Sequence, residues 1–218
     1  MVLRSPPELP LRSRLRLDPL GEGFTNADAV IGHFDFRAST KAGLQLSSDV
    51  RQFVVVEAKM FSNLSLGTKN ASNYDQAARN VACMADAIAQ SGRALADFES
   101  IGFFVLAPAL DLRRHRETNL EACLDPSSIR FAVSQRITAY EKWSRPEAAN
   151  LRAWESNSFR PFVEHLANAK SIAVLSWEEC IESIRISDSA AGEELHEFYQ
   201  RCLTFAPQKP DKDALIRD

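Results

Sequence analysis

The sequence predicts an α/β domain in which a mixed β-sheet is flanked by helices and followed by a helical C-terminal extension. Two apolar runs carry that prediction. Phe53-Val54-Val55-Val56 and Ile101 to Ala107 are too apolar for wet surface strands and suit a sheet covered on both faces. Between them lies a stretch with apolar positions at helical spacing, and a strand, helix and strand of this length make a right-handed crossover between parallel strands. Short alternating segments joined by turns precede them and suggest an antiparallel meander, so the sheet is mixed.

Taken in order, Pro6, Pro7 and Pro10 forbid an early helix, and Leu11, Leu15 and Leu17 then alternate with arginines in a strand-like pattern. Asp18 to Gly23 is a turn. A second strand is expected from about Ala27 to Phe36, with Asp28, Val30, Gly32 and Phe34 on one face and Ala29, Ile31, His33 and Asp35 on the other. A polar loop from Arg37 to Arg51 leads into the Phe53 strand, and Ser62 to Asn73 reads as a loop feeding a helix. That helix is placed from about Tyr74 to Ser91 by Ala77, Ala78, Val81, Ala85 and Ile88, with Gln76, Arg79, Asn80 and Cys83 on a more polar side and Gly92 as its stop. Further on, Asp125-Pro126-Ser127 starts a helix through Tyr140, and a second helical stretch spans about Pro146 to Ala169. Ile172 to Leu175 is a short strand, and Ser176-Trp177-Glu178-Glu179 is a capping box for one more helix.

At 218 residues, one domain over 1–206 is expected, its core about 11–107 and its elaboration about 108–206, with a polar tail over 207–218. The net charge of -3 supplies no overall basic field, so a nucleic-acid partner would be drawn by local patches or through a metal ion. Cys83, Cys123, Cys180 and Cys202 are far apart and form no C-x-x-C, which points to reduced, mostly buried thiols rather than a zinc knuckle or disulfide framework. With no run long enough to span a bilayer, the expectation is a cytoplasmic protein with no membrane partner.

The chemistry lies in Glu57-Ala58-Lys59. Side chains in a strand alternate faces, so Glu57 and Lys59 emerge on one side, about 7 Å apart. No other position in the chain reads acid, any residue, lysine. A same-face ion pair on a wet edge strand would be worth little, but charges at the end of a run this apolar are costly without partners. A carboxylate that holds a divalent metal and an amine that steadies a water or developing charge suit phosphodiester hydrolysis. An antiparallel neighbour can bring Asp28 opposite Glu57; the competing roles are an Asx turn at Asp28 and Asp35 as the acid, though Asp35 lies at the far end of its strand on the other face.

This order of Asp28 opening one strand, Glu57-Ala58-Lys59 closing the next and a helix carrying Gln76 resembles the PD-(D/E)XK nuclease superfamily, the restriction-endonuclease-like fold, over about Leu11 to Ala107. The resemblance implies a DNA-cleaving hydrolase in which Asp28 and Glu57 bind Mg²⁺ or Mn²⁺, Lys59 aids the nucleophile and Gln76 is an auxiliary site residue. The Ala58 carbonyl is a further oxygen for the metal. The chain departs from the family pattern in having Ala27 where proline often stands, no helix before the first strand, and Asn80 where tyrosine often follows the glutamine.

Other residues weigh less. Gln76 divides evenly between a site role and a solvated first turn, whereas Arg79, Lys69 and the Arg113, Arg114, His115, Arg116 cluster read more readily as surface than as phosphate contacts. Tyr74 reads as core before it reads as a stacking platform, and the four histidines have no ligand spacing. Gly67-Thr68-Lys69 lacks the preceding glycine and residue order of a phosphate loop. The alternative to a nuclease is a catalytically inactive module of the same fold that binds nucleic acid or protein; DNA is the expected partner, with a homodimer or larger assembly left open.

Overall fold

The computed structural model describes residues 2–3, 25–36, 44–60, 62–67, 72–109, 120–142 and 148–205. The expected Leu11 strand, the Asp18 turn, Lys69, the arginine cluster with His115, and the tail over 207–218 lie outside them. The strands are β1 (Val2–Leu3), β2 (Thr25–Asn26), β3 (Ala29–Gly32), β4 (Phe34–Phe36), β5 (Leu44–Leu46), β6 (Gln52–Ala58), β7 (Ser100–Ala107) and β8 (Ile172–Ser176). The helices are α1 (Gln76–Ser91), α2 (Leu120–Leu124), α3 (Pro126–Lys142), α4 (Ala148–Trp154), α5 (Arg160–Asn168), α6 (Trp177–Ser187) and α7 (Ser189–Phe205).

The architecture is α/β. A four-stranded mixed sheet has the order β3-β6-β7-β8. β3 runs antiparallel to β6, from Ala29 opposite Val56 to Gly32 opposite Phe53. β6 and β7 are parallel, from Gln52 beside Ser100 to Ala58 beside Leu106, and β8 adds a further parallel strand from Ile172 beside Phe103 to Ser176 beside Ala107. Two small antiparallel pairs, β1 with β2 and β4 with β5, stand apart from this sheet.

The expected strand over Ala27–Phe36 is two strands. Gly32 has φ 146°, and a Cβ there would come within 2.0 Å of the Gln52 carbonyl oxygen. Only glycine tolerates that approach and that backbone, so the chain turns off the main sheet and Phe34–Phe36 pairs with Leu44–Leu46 instead. The stretch expected as a polar loop therefore contains β5, whose Leu44 and Leu46 are buried in the core. The expected Pro146–Ala169 helix is likewise segmented, with a π-helical turn over Glu155–Phe159 between α4 and α5.

α1 forms for local reasons. Asp75 caps it by accepting the Ala78 N–H at 2.9 Å, and Gly92 closes it in the left-handed conformation at φ 69°, donating its N–H to the Ala89 carbonyl. Its small buried residues, Ala77, Ala78, Ala82 and Ala85, allow close approach to one face of the sheet, where Phe53, Val55, Ile101, Phe103 and Val105 complete a common core with α3 and α5. Each large apolar side chain sealed there is worth about 1.5–3 kcal/mol. The burial expected on both faces of β6 is uneven. Phe53, Val55 and Glu57 are sealed toward this core, whereas on the other face Val54 is buried but Val56 and Ala58 toward the strand end are half-buried.

Candidate functional site

Strand alternation delivers Glu57 to the core side of β6, under the first turn of α1. Its side chain is 1 % exposed. Lys59 stands one residue past the end of β6, where its N–H donates to the Leu106 carbonyl of β7 at 2.7 Å. Its side chain returns to the same face as Glu57, and Nζ lies 3.3 Å from Glu57 Oε2. The two-residue spacing read from the sequence thus becomes a direct ion pair.

Gln76, the first residue of α1, joins both charges. Its Nε2 donates to Glu57 Oε2 at 2.7 Å, and its Oε1 accepts from Lys59 Nζ at 3.2 Å and from the Ser65 N–H at 3.1 Å. The same amide serves an anion and a cation, a role a solvated first-turn residue would not have. One turn on, Asn80 Nδ2 donates to Glu57 Oε1 at 2.8 Å, while the Asn80 Oδ1 is buried with no hydrogen-bond partner among the described residues. Sequence polarity sets Asn80 on the more polar side of α1. That side is closed to solvent at Asn80, 0 % exposed, and at Cys83, 2 % exposed, the latter in line with the burial expected of most of the thiols. The usable signal was spacing: residues at i and i+4 share a helical face, so Gln76 implied Asn80.

Asp28 lies one step beyond the β3–β6 ladder, in the register position opposite Glu57. Rather than closing an Asx turn, it accepts the Ala58 N–H at 2.8 Å on Oδ2, across 30 residues of chain. An extended residue sends its N–H and C=O to the same flank of its strand, so the Ala58 carbonyl belongs to the Asp28 side. Asp35 pairs with Gln45 in the small β4–β5 sheet and takes no part. Tyr74 is buried in the core.

Electrostatically, Glu57 is undercompensated. Burial pushes its carboxyl above the ordinary carboxylate range; Lys59 and the Asn80 amide pull it down, and the nearby Asp28 charge pushes it up again. A further tie was invisible in the sequence: the Trp177 indole N–H, at the start of α6, donates to the Lys59 carbonyl at 3.2 Å. The capping box at Ser176 that starts α6 forms as expected.

Among the described residues no group of three or more His, Cys, Asp or Glu comes together as a metal cage. A cation here would rest on two carboxylates. Glu57 Oε2 already accepts two donors, but Oε1 accepts one and keeps a lone pair, and Asp28 Oδ1 has no bond within the described residues. With the Ala58 carbonyl these are hard oxygen donors, a set that fits Mg²⁺, which is often held by one or two carboxylates and keeps several waters. The unpartnered Asn80 oxygen beside them is an acceptor open to a donor from outside the chain.

Comparison with family models, curated proteins and solved structures gives no match. No described helix is long and apolar enough to cross a membrane.

Proposed function

We propose that this chain is a metal-dependent nuclease of the PD-(D/E)XK type that hydrolyses phosphodiester bonds in DNA. The carrying observation is that Glu57 and Lys59, 3.3 Å apart at a strand end opposite Asp28, are bridged by Gln76. Support for the restriction-endonuclease-like arrangement comes from an antiparallel β3–β6 pair, a parallel β6–β7 pair and the helix between them that carries Gln76.

Mg²⁺ or Mn²⁺, held by Asp28, Glu57 and the Ala58 carbonyl, would polarise a phosphoryl oxygen and lower the pKa of a bound water. The chain's residues do the rest. Lys59 Nζ has three donor directions, two of them taken by Glu57 and Gln76, and the third is free to hold the attacking water or meet charge developing on the phosphorane. Gln76 and Asn80 fix the Glu57 carboxylate, so little reorganisation is needed as the reaction proceeds.

Purified protein assayed on linear, circular and single-stranded DNA with Mg²⁺, Mn²⁺ or chelator is expected to cut only with metal. Lys59→Ala is expected to abolish cleavage with its fold intact, and a Lys59→Ala protein that cuts at the wild-type rate overturns the assignment. The second reading, an inactive module of the same fold, draws on the saturation of Glu57 Oε2 by Lys59 and Gln76. Calorimetry showing no Mg²⁺ or Mn²⁺ binding would favour it.

A further inference from the structure

The face of α1 that looks onto the site carries a third side chain. At 3.6 residues per turn, Asn80 sits about 40° to one side of Gln76 and Arg79 about 60° to the other. Asn80 is on the core flank and fully buried, whereas Arg79 is on the flank of the Ser62–Gly67 segment and half-buried. Its Nη2 donates to the Ser65 hydroxyl at 2.7 Å. Ser65 is itself anchored: its N–H donates to Gln76 Oε1 at 3.1 Å, and its carbonyl accepts the Gln76 N–H at 3.0 Å. The guanidinium is thereby held beside the bridge between Glu57 and Lys59.

What it lacks is an anion. Among the described residues Arg79 is bonded to a neutral hydroxyl and pairs with no carboxylate, while the buried Glu155, by contrast, takes two arginines. Among the described residues, four of its five N–H donors have no partner. A nucleic-acid backbone approaching Asp28 and Glu57 meets two negative charges, and a chain of net charge -3 offers no general attraction. A planar fork positioned at the rim meets that need, since guanidinium binds phosphate in bidentate fashion.

We propose that Arg79 is a substrate-binding residue that grips a backbone phosphate flanking the scissile one, with Ser65 as the positioning residue that aims it. This rests on the nuclease reading above. It reverses the sequence-based preference for Arg79 as a solvated surface charge.

The test measures binding of a fluorescent duplex oligonucleotide in chelator between about 50 and 200 mM salt, and cleavage with Mg²⁺ on the same duplex. One lost phosphate contact on B-DNA reduces the slope of log Kd against log salt by about 0.9. Arg79→Gln, which keeps an amide donor for Ser65, is expected to show that loss, with KM raised about tenfold and kcat within about twofold of wild type. Arg79→Lys keeps the charge and is expected to keep the slope. An unchanged slope and KM in Arg79→Gln, or no duplex binding by the wild-type protein, overturns the proposal. A wild-type protein that binds with the expected Arg79-dependent slope yet never cuts overturns the nuclease reading and leaves the phosphate grip standing.

Discussion

Two of the described glutamates are buried to nearly the same depth and in opposite electrostatic circumstances. Glu155, 2 % exposed on the π-helical turn, receives Arg152 on Oε2 at 2.8 Å and Arg160 on Oε1 at 3.1 Å. Arg152 is further shared with Glu141, Ser134 and Thr138, so that carboxylate sits in a neutralised network joining α3, α4 and α5. Glu57, 1 % exposed, has one ammonium, two neutral amides and the negative Asp28 nearby. Burying a carboxylate with full compensation builds structure; burying one with too little leaves demand for a positive charge. On the proposed function, the difference distinguishes the candidate site glutamate from the structural one.

The contrast breaks first on activity. Glu57→Gln and Lys59→Ala are each expected to lower single-turnover cleavage by about 10³-fold or more, the scale of losing a preorganised charged group, while Glu155→Gln leaves the rate of folded protein unchanged. Equal losses in Glu57→Gln and Glu155→Gln would erase the distinction.

On stability the order inverts. Glu155→Gln removes two charge-assisted hydrogen bonds and is expected to cost about 2 kcal/mol, read as a Tm lower by about 4–8 °C. Glu57→Gln in chelator is expected to raise Tm by about 1–4 °C, since it removes a buried charge that its neighbours compensate only in part. The pH dependence sharpens this. Burial holds the Glu57 carboxyl above its ordinary value of 4.5, so the folded protein keeps a proton that the unfolded chain releases. Stability falls as pH rises from that ordinary value through the raised one, and urea unfolding in chelator across roughly pH 4 to 8 should show a slope that Glu57→Gln flattens.

The smallest effect is expected at Asn80. Asn80→Ala removes one donor from Glu57 and, with it, the buried oxygen that has no partner. Stability should move by less than about 1 kcal/mol because an unsatisfied group leaves together with a satisfied one, while cleavage falls about tenfold. A thermal scan beside a cleavage time course checks both numbers.

Much of the site was legible because it follows short periods. Alternation along β6 put Glu57 and Lys59 on one face, and an antiparallel neighbour put Asp28 across from Glu57. The parallel β6–β7 pair, the Gly92 stop and the Ser176 cap likewise follow from local pattern. Polarity put Asn80 on the same side of α1 as Gln76, but its full burial against Glu57 follows from helical spacing, which polarity alone does not carry. The break at Gly32 depends on a contact with the Gln52 carbonyl, 20 residues on. Leu44 and Leu46 were lost among the polar residues around them. Trp177 had no signal at all, since its partner lies 118 positions upstream.

That indole-to-carbonyl tie fixes what can be cut away. Residues 25–107 contain Asp28, Glu57, Lys59 and Gln76, yet the strand flanking β7 and the tryptophan steadying the lysine's backbone come from the last quarter of the chain. The proposed catalytic motif is therefore no transplantable cassette: a fragment ending at Ala107 would keep every candidate site residue and lose the edge strand and indole that hold one of them in place.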